Sequence, residues 1–207
     1  MEYEKAEYKK AAQDLRKKMV SAEKKCRNPG AEQSRIWLIE ALYALMKTMP
    51  FAEITVVAVC SQADLSRRTF YRCFDSKEDL FDEACSRLCR EYVSFLDRDL
   101  TYSMTHFVEV YFTFWEGHKD ILRLICDNQL ICRLTDISNR FWPEIYCRFE
   151  AYWKDTMTDQ ELEYCLAFNL GGLWNTLLKW LLEEPHKSPE QAAEVIRRSL
   201  GNLVKNL

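Results

Sequence analysis

Apolar residues recur three and four positions apart along most of this chain, and the stops between such runs are few. That period marks amphipathic helices, whereas the side chains of a half-buried strand alternate at every second residue. Glycine and proline number only 5 each in 207 residues, too few for the many turns of an all-β sandwich. The expected fold class is all-α, with long helices joined by short loops and enough chain for one large domain or two smaller ones.

The stops divide the pattern into segments. Residues 1–27 read as a charged helix with Tyr8, Ala12, Leu15 and Met19 spaced by three and four, followed by a break at Asn28-Pro29-Gly30. A helix then starts near Ser34, carries Ile39, Leu42, Tyr43 and Met46, and ends at Pro50. Ile54 to Ala63 suits a strand by composition, but Thr55 can cap a helix and Val56, Val59, Cys60 and Ala63 keep the helical spacing. Ser66 caps a short helix to Phe74. Ser76, with Asp79 three residues on, opens a longer one carrying Leu80, Phe81, Ala84, Leu88, Tyr92 and Phe95. Thr105 to Tyr152 gives two or three aromatic-rich helices with breaks at Gly117 and Pro143. Thr158 to Glu184 is the longest run, Pro185 stops it, and Ser188-Pro189-Glu190 starts the last helix.

Charge and cysteine usage narrow the setting. The formal charge of −3 hides an asymmetry, because residues 1–27 hold nine basic against five acidic side chains. An acidic total still allows nucleic-acid binding, since only the face near the phosphates must be positive. The 9 cysteines form no Cys-x-x-Cys pair and sit mostly within apolar patterns, as small hydrophobes in a reducing compartment. The first 25 residues carry charge throughout, unlike a secretory signal. The longest apolar stretch, Leu170 to Leu182, is interrupted by Asn175 and Lys179 and is too short to span a bilayer. A cytoplasmic protein with no membrane association is expected.

The segment from Thr55 to Lys77 carries the functional argument. Two short helices joined by a tight turn form a helix-turn-helix, with Asp64 where the turn needs a left-handed or otherwise special backbone. At 100° per residue, Phe70, Cys73 and Phe74 share the buried side of the second helix. Arg68 and Arg72 point directly away from it, Thr69 and Tyr71 flank them, and Ser66 and Arg67 stand at the helix start. A basic face on one helix is commonly just solvated. Its place on the second of two short helices favours DNA, because arginine pairs with guanine O6 and N7 while hydroxyls reach phosphates or bases. Lys77, in the first turn of the following helix, joins this set.

The run from Ile54 to Leu80 resembles the DNA-binding region of TetR/AcrR-type transcriptional regulators, most specifically in Thr69-Phe70-Tyr71, Phe74 and Ser76-Lys77-Glu78-Asp79-Leu80. The likeness is strong over about residues 34–90. Further on it rests on the helical layout, Leu170-Gly-Gly-Leu-Trp174 and Trp180. The chain departs in carrying Asp64 where glycine is usual, and in its N-terminal extension. The resemblance implies a homodimer with two DNA-binding heads and a larger ligand-binding and dimerisation domain. By matching position, Arg67, Arg68, Thr69 and Tyr71 meet the major groove, and Thr55 and Lys77 meet phosphates.

The second half is dense in aromatic residues. On spacing alone they read as core; the resemblance implies a cavity lined by His106, Tyr111, Trp115, Trp142, Tyr146, Phe168 and Trp174. Asn128, Gln129, Arg133 and Asn169 are candidate polar anchors. Gly171-Gly172 inside a helix costs about 1 kcal/mol each relative to alanine and marks a close helix crossing within a dimer bundle. His106, His118 and His186 are scattered, and no HExxH, nucleophile–base or Gly-rich phosphate motif is present. No enzyme, cofactor or metal site is expected.

These readings divide the chain into an extension (1–30), a helix-turn-helix domain (31–77) and a helical ligand-binding and dimerisation domain (78–207). The expected function is a ligand-responsive repressor, homodimeric through helices about 158–184 and 189–204, on a palindromic double-stranded operator. Its effector is a small apolar or aromatic molecule. The alternative is a two-headed DNA-binding or partner-recruiting protein that answers to no small ligand.

Overall fold

A computed structural model describes residues 29–96, 104–142, 145, 158–184 and 186–204. The charged helix expected over 1–27, Tyr146 and the Pro143 break lie outside them. The described residues form nine α-helices and no strand: α1 (Pro29–Met46), α2 (Val56–Gln62), α3 (Arg67–Cys73), α4 (Lys77–Phe95), α5 (Met104–Gly117), α6 (Lys119–Asp127), α7 (Ile131–Asn139), α8 (Asp159–Leu181) and α9 (Pro189–Val204). They fall into two compact units, one of Met1–Glu91 with Leu124–Pro143, the other of Tyr92–Arg123 with Glu144–Leu207.

In the first unit, α1 packs on α2 and α3. Leu38, Leu42, Val59, Phe70, Leu80, Phe81 and Leu134 are fully buried. The helix begins five residues before Ser34, because Pro29 occupies its first position, where a missing N–H costs nothing. Ser34 instead donates to the Gly30 carbonyl at 2.7 Å within the first turns. Asn128 ties distant segments together: its side chain accepts from the Phe51 N–H at 2.7 Å and donates to Leu124 O at 2.9 Å and Met46 O at 3.3 Å. Arg133 pairs with Asp82 on α4. Both side chains, candidate ligand anchors by sequence, help hold α1, α4, α6 and α7 together.

Two helices of this unit end alike. Leu65 N–H bonds to Cys60 O and Asp64 N–H to Ser61 O, with Asp64 at φ +53°. Leu130 N–H bonds to Ile125 O and Gln129 N–H to Cys126 O, with Gln129 at φ +59°. Both are Schellman closures, in which one left-handed residue lets the last carbonyls find donors. Asp64 thus takes the backbone expected of it, while Gln129 is a turn residue and not a polar anchor. Cys85 and Cys89, one turn apart on α4, are buried, and burial pushes the Cys89 thiol up to about 12 and raises Cys85 as well.

In the second unit α5 packs against α9, with α8 supplying Trp174, Leu177, Trp180 and Leu181 to the interior. Thr158 and Glu161 cap α8 reciprocally, and Ser188 and Gln191 do the same for α9. Glu116 accepts from His186 at 2.9 Å and from Lys119 at 3.0 Å, which holds its carboxyl below the usual range. Among the described residues no helix is long and apolar enough to cross a membrane.

Candidate nucleic-acid interface

Local chemistry fixes the two short helices. The Thr55 hydroxyl accepts from Ala58 N–H at 3.1 Å and starts α2; Ser66 does the same for Thr69 N–H at 3.1 Å and starts α3. Each cap is worth about 1 kcal/mol, a large share for helices of two turns. Phe70 and Cys73 face inward, and the buried Phe74 ring lies 5.9 Å from Phe70 beneath the Arg35 guanidinium. With that side sealed, Arg67, Arg68, Tyr71 and Arg72 are left exposed on the opposite side.

These four residues are brought together as the sequence places them. The Arg67 guanidinium sits 5.9 Å from the centre of the Tyr71 ring, which is half exposed. Among the described residues, Arg67, Arg68 and Arg72 have no carboxylate within salt-bridge reach, whereas Arg87, Arg90, Arg133, Arg197 and Arg198 are all paired. Thr69 is half-buried, its hydroxyl 3.0 Å from that of Ser66, so both serve first to start the helix.

Lys77 differs from expectation. Its ammonium donates to Phe51 O at 2.8 Å, Ala52 O at 2.9 Å and Ile54 O at 2.8 Å, and lies 4.9 Å from the Phe51 ring centre. All three N–H donors are spent on a 3-10 turn at Phe51–Glu53, so none remains for a phosphate. No local pattern announces this, since the acceptors lie 23 to 26 residues earlier.

The aromatic residues expected to line a ligand cavity are divided between the two units. Tyr111, Trp115 and Trp174 are buried together in the second unit, with Trp115 and Trp174 rings 5.5 Å apart and Tyr111 within 6.5 Å of both. Trp142 is buried in the first unit. His106 is exposed on α5, and Phe168 is 75% exposed on α8, because the inward side of that helix is the one carrying Trp174 and Leu177. The sequence also gave no sign of an open groove of about 460 Å³ in the first unit, between Trp37, Glu40, Ala44, Gln62 and Asp64.

Leu177 and Leu181 of α8 are buried. The open side of α8 carries Tyr164, Phe168, Gly171 and Gly172, with Leu182 just beyond its end, and a Cβ added at either glycine would meet nothing within 4 Å.

Two capped short helices, a Schellman turn between them and an exposed arginine face on the second form a helix-turn-helix with a basic outer side. Residues 38–84 match the family described as bacterial regulatory proteins, tetR family. Solved structures share the fold. A TetR transcriptional regulator from Streptococcus agalactiae 2603V is 19% identical, with a TM-score of 0.58 over 86% of this chain and 95% of its own. The dihydroxyacetone kinase operon activator DhaS is 14% identical, with a TM-score of 0.51 over 84% of this chain and 97% of its own. No curated protein gives a significant match.

Proposed function

We propose that this regulator is a cytoplasmic homodimeric repressor that sets one α3 from each protomer into the major groove of a palindromic operator. In this reading residues 31–77 are the reading head, residues 78–207 carry dimerisation and effector response, and a small apolar or aromatic molecule releases the DNA. The observation that carries it is the cluster of three exposed arginines without carboxylate partners beside Tyr71 on a two-turn helix. Leaving such charges uncompensated raises a local positive potential, which a phosphate backbone relieves.

One head reads one half-site, and two-fold dimers place two heads about 34–36 Å apart, or a multiple of that, along the duplex. The open face of Tyr164, Phe168 and Leu182 around Gly171-Gly172 supports a partner helix approaching there. Effector response has its support in Trp115, whose indole N–H is buried with no hydrogen-bond partner. An effector with an acceptor beside it would recover about 1–3 kcal/mol. The packing of Tyr111, Trp115 and Trp174 on one another favours the second reading, a two-headed DNA-binding or partner-recruiting protein with no small ligand. The same fold in a protein named as an operon activator makes activation the other sign of control to be tested.

Fluorescence anisotropy on DNA upstream of the gene tests the core of the proposal. Arg68→Ala and Tyr71→Phe should each weaken specific binding, the former by about 1–3 kcal/mol, with unfolding unchanged. Unaltered affinity in both removes α3 from the interface. A thermal-shift screen followed by DNA titration tests the effector: binders of the second unit that leave DNA affinity unchanged overturn the switch and leave the second reading.

A further inference from the structure

The side chains of α3 restrict which bases it can read. From Ser66 to Phe74 the chain contains no asparagine, glutamine, aspartate or glutamate. The bidentate reading of adenine takes a side-chain amide, which accepts from N6 and donates to N7, and cytosine N4 is paired best by a carboxylate acceptor. Neither chemistry exists on this helix. What it presents is donors: the exposed guanidiniums of Arg67, Arg68 and Arg72, none with a carboxylate within salt-bridge reach among the described residues. The Ser66 and Thr69 hydroxyls are already engaged with each other and with the Thr69 N–H.

The three arginines are not equivalent. Arg67 lies over the Tyr71 ring at 5.9 Å, so its guanidinium is held to one flank. Arg68 and Arg72, four residues apart on the side opposite Phe70 and Cys73, are exposed and carry no such tether. Four residues of helix rise about 6 Å. Base pairs rise 3.4 Å, so two side chains so placed reach bases one or two steps apart.

We infer, resting on the assignment of α3 to the major groove, that each operator half-site holds two guanines one or two base pairs apart, taken through O6 and N7 by Arg68 and Arg72. A guanine is the base edge that offers two acceptors to a guanidinium fork, and the helix carries no amide or carboxylate to specify adenine or cytosine at those steps.

The test is selection of random duplexes by the purified full-length protein, followed by base-analogue substitution in the selected site. Guanine should dominate two positions of each half-site at that spacing. Replacing either by 7-deazaguanine, which lacks only the N7 acceptor, should lower affinity about fivefold or more. Inosine, altered only in the minor groove, should leave affinity unchanged. Arg68→Lys and Arg72→Lys keep the charge but lose the fork; each should relax the preference at its own guanine by about 5- to 150-fold. A specific site whose affinity ignores 7-deazaguanine, or which carries A·T pairs where guanine is expected, overturns the inference while leaving α3 as the reading helix. Selection that enriches no sequence overturns both.

Discussion

Replacing Lys77 by methionine keeps the length and apolar stem of the side chain and removes the ammonium that holds three carbonyls. Two of those acceptors, Phe51 O and Ile54 O, are part-buried, whereas Ala52 O is reached by water. Hydrogen bonds to a charged group contribute about 1.5–3 kcal/mol each, and a buried acceptor left unpaired costs about 1–3 kcal/mol. The three do not add, because the free ammonium would be hydrated in the unfolded chain. Counting the two part-buried bonds at the lower end gives a loss of about 2–4 kcal/mol, out of a typical total of about 5–15 kcal/mol. Urea unfolding followed by far-UV circular dichroism should then show the midpoint falling by about 1–2 M, for a slope near 2 kcal/mol/M. Specific DNA affinity, measured well below that midpoint, should hardly change. The opposite pattern would refute the reasoning: an unchanged midpoint with weaker DNA binding and a salt slope reduced by about one would return Lys77 to a phosphate.

Asp64 and Gln129 hold left-handed backbone that a side chain resists by about 1–2 kcal/mol. Asp64→Gly and Gln129→Gly should therefore each raise stability by about 0.5–1 kcal/mol in urea unfolding, less than the full strain because glycine also loosens the unfolded chain; a loss in both would contradict the turn assignment. Gly172→Leu and Phe168→Glu should shift the protein from dimer to monomer in sedimentation velocity without changing its helix content; a dimer intact in both variants moves the interface elsewhere. Glu116 is held below its ordinary 4.5 by the bonds from His186 and then Lys119, so its stabilisation is present above that value and is lost as pH falls through the lower folded value. Thermal unfolding from pH 6 down to 3 should show the wild type losing more stability than Glu116→Gln, and parallel curves would remove the contribution.

What the sequence discloses depends on the range over which each interaction acts. Thr55, Ser66 and Ser76 announce helix starts because a cap and its N–H lie three residues apart, and the structure places those bonds at 3.1 Å each. Asp64 is legible for the same reason. Pro29 was half legible: it breaks a preceding pattern and also opens a helix, and only the course of the chain tells which. The work of Lys77 and Asn128 was hidden, since their acceptors and donors are contributed by segments far away along the chain. The aromatic stripe of the second half was ambiguous for another reason. Periodicity states that one side of α8 differs from the other, but Trp174 and Phe168 are both large and apolar. Which of them turns inward is decided by the helices it packs on.

The buried thiols of α4 make this protein its own clock. A thiol is alkylated as the thiolate, and burial withholds Cys85 and Cys89 from both reagent and ionisation, while Cys132 stands exposed on α7. Cys132 should label at the rate of an open thiol, and the α4 pair only as fast as the first unit opens. An oxidant in the cell would meet the same order, marking the surface long before it reaches the helix that follows the reading head.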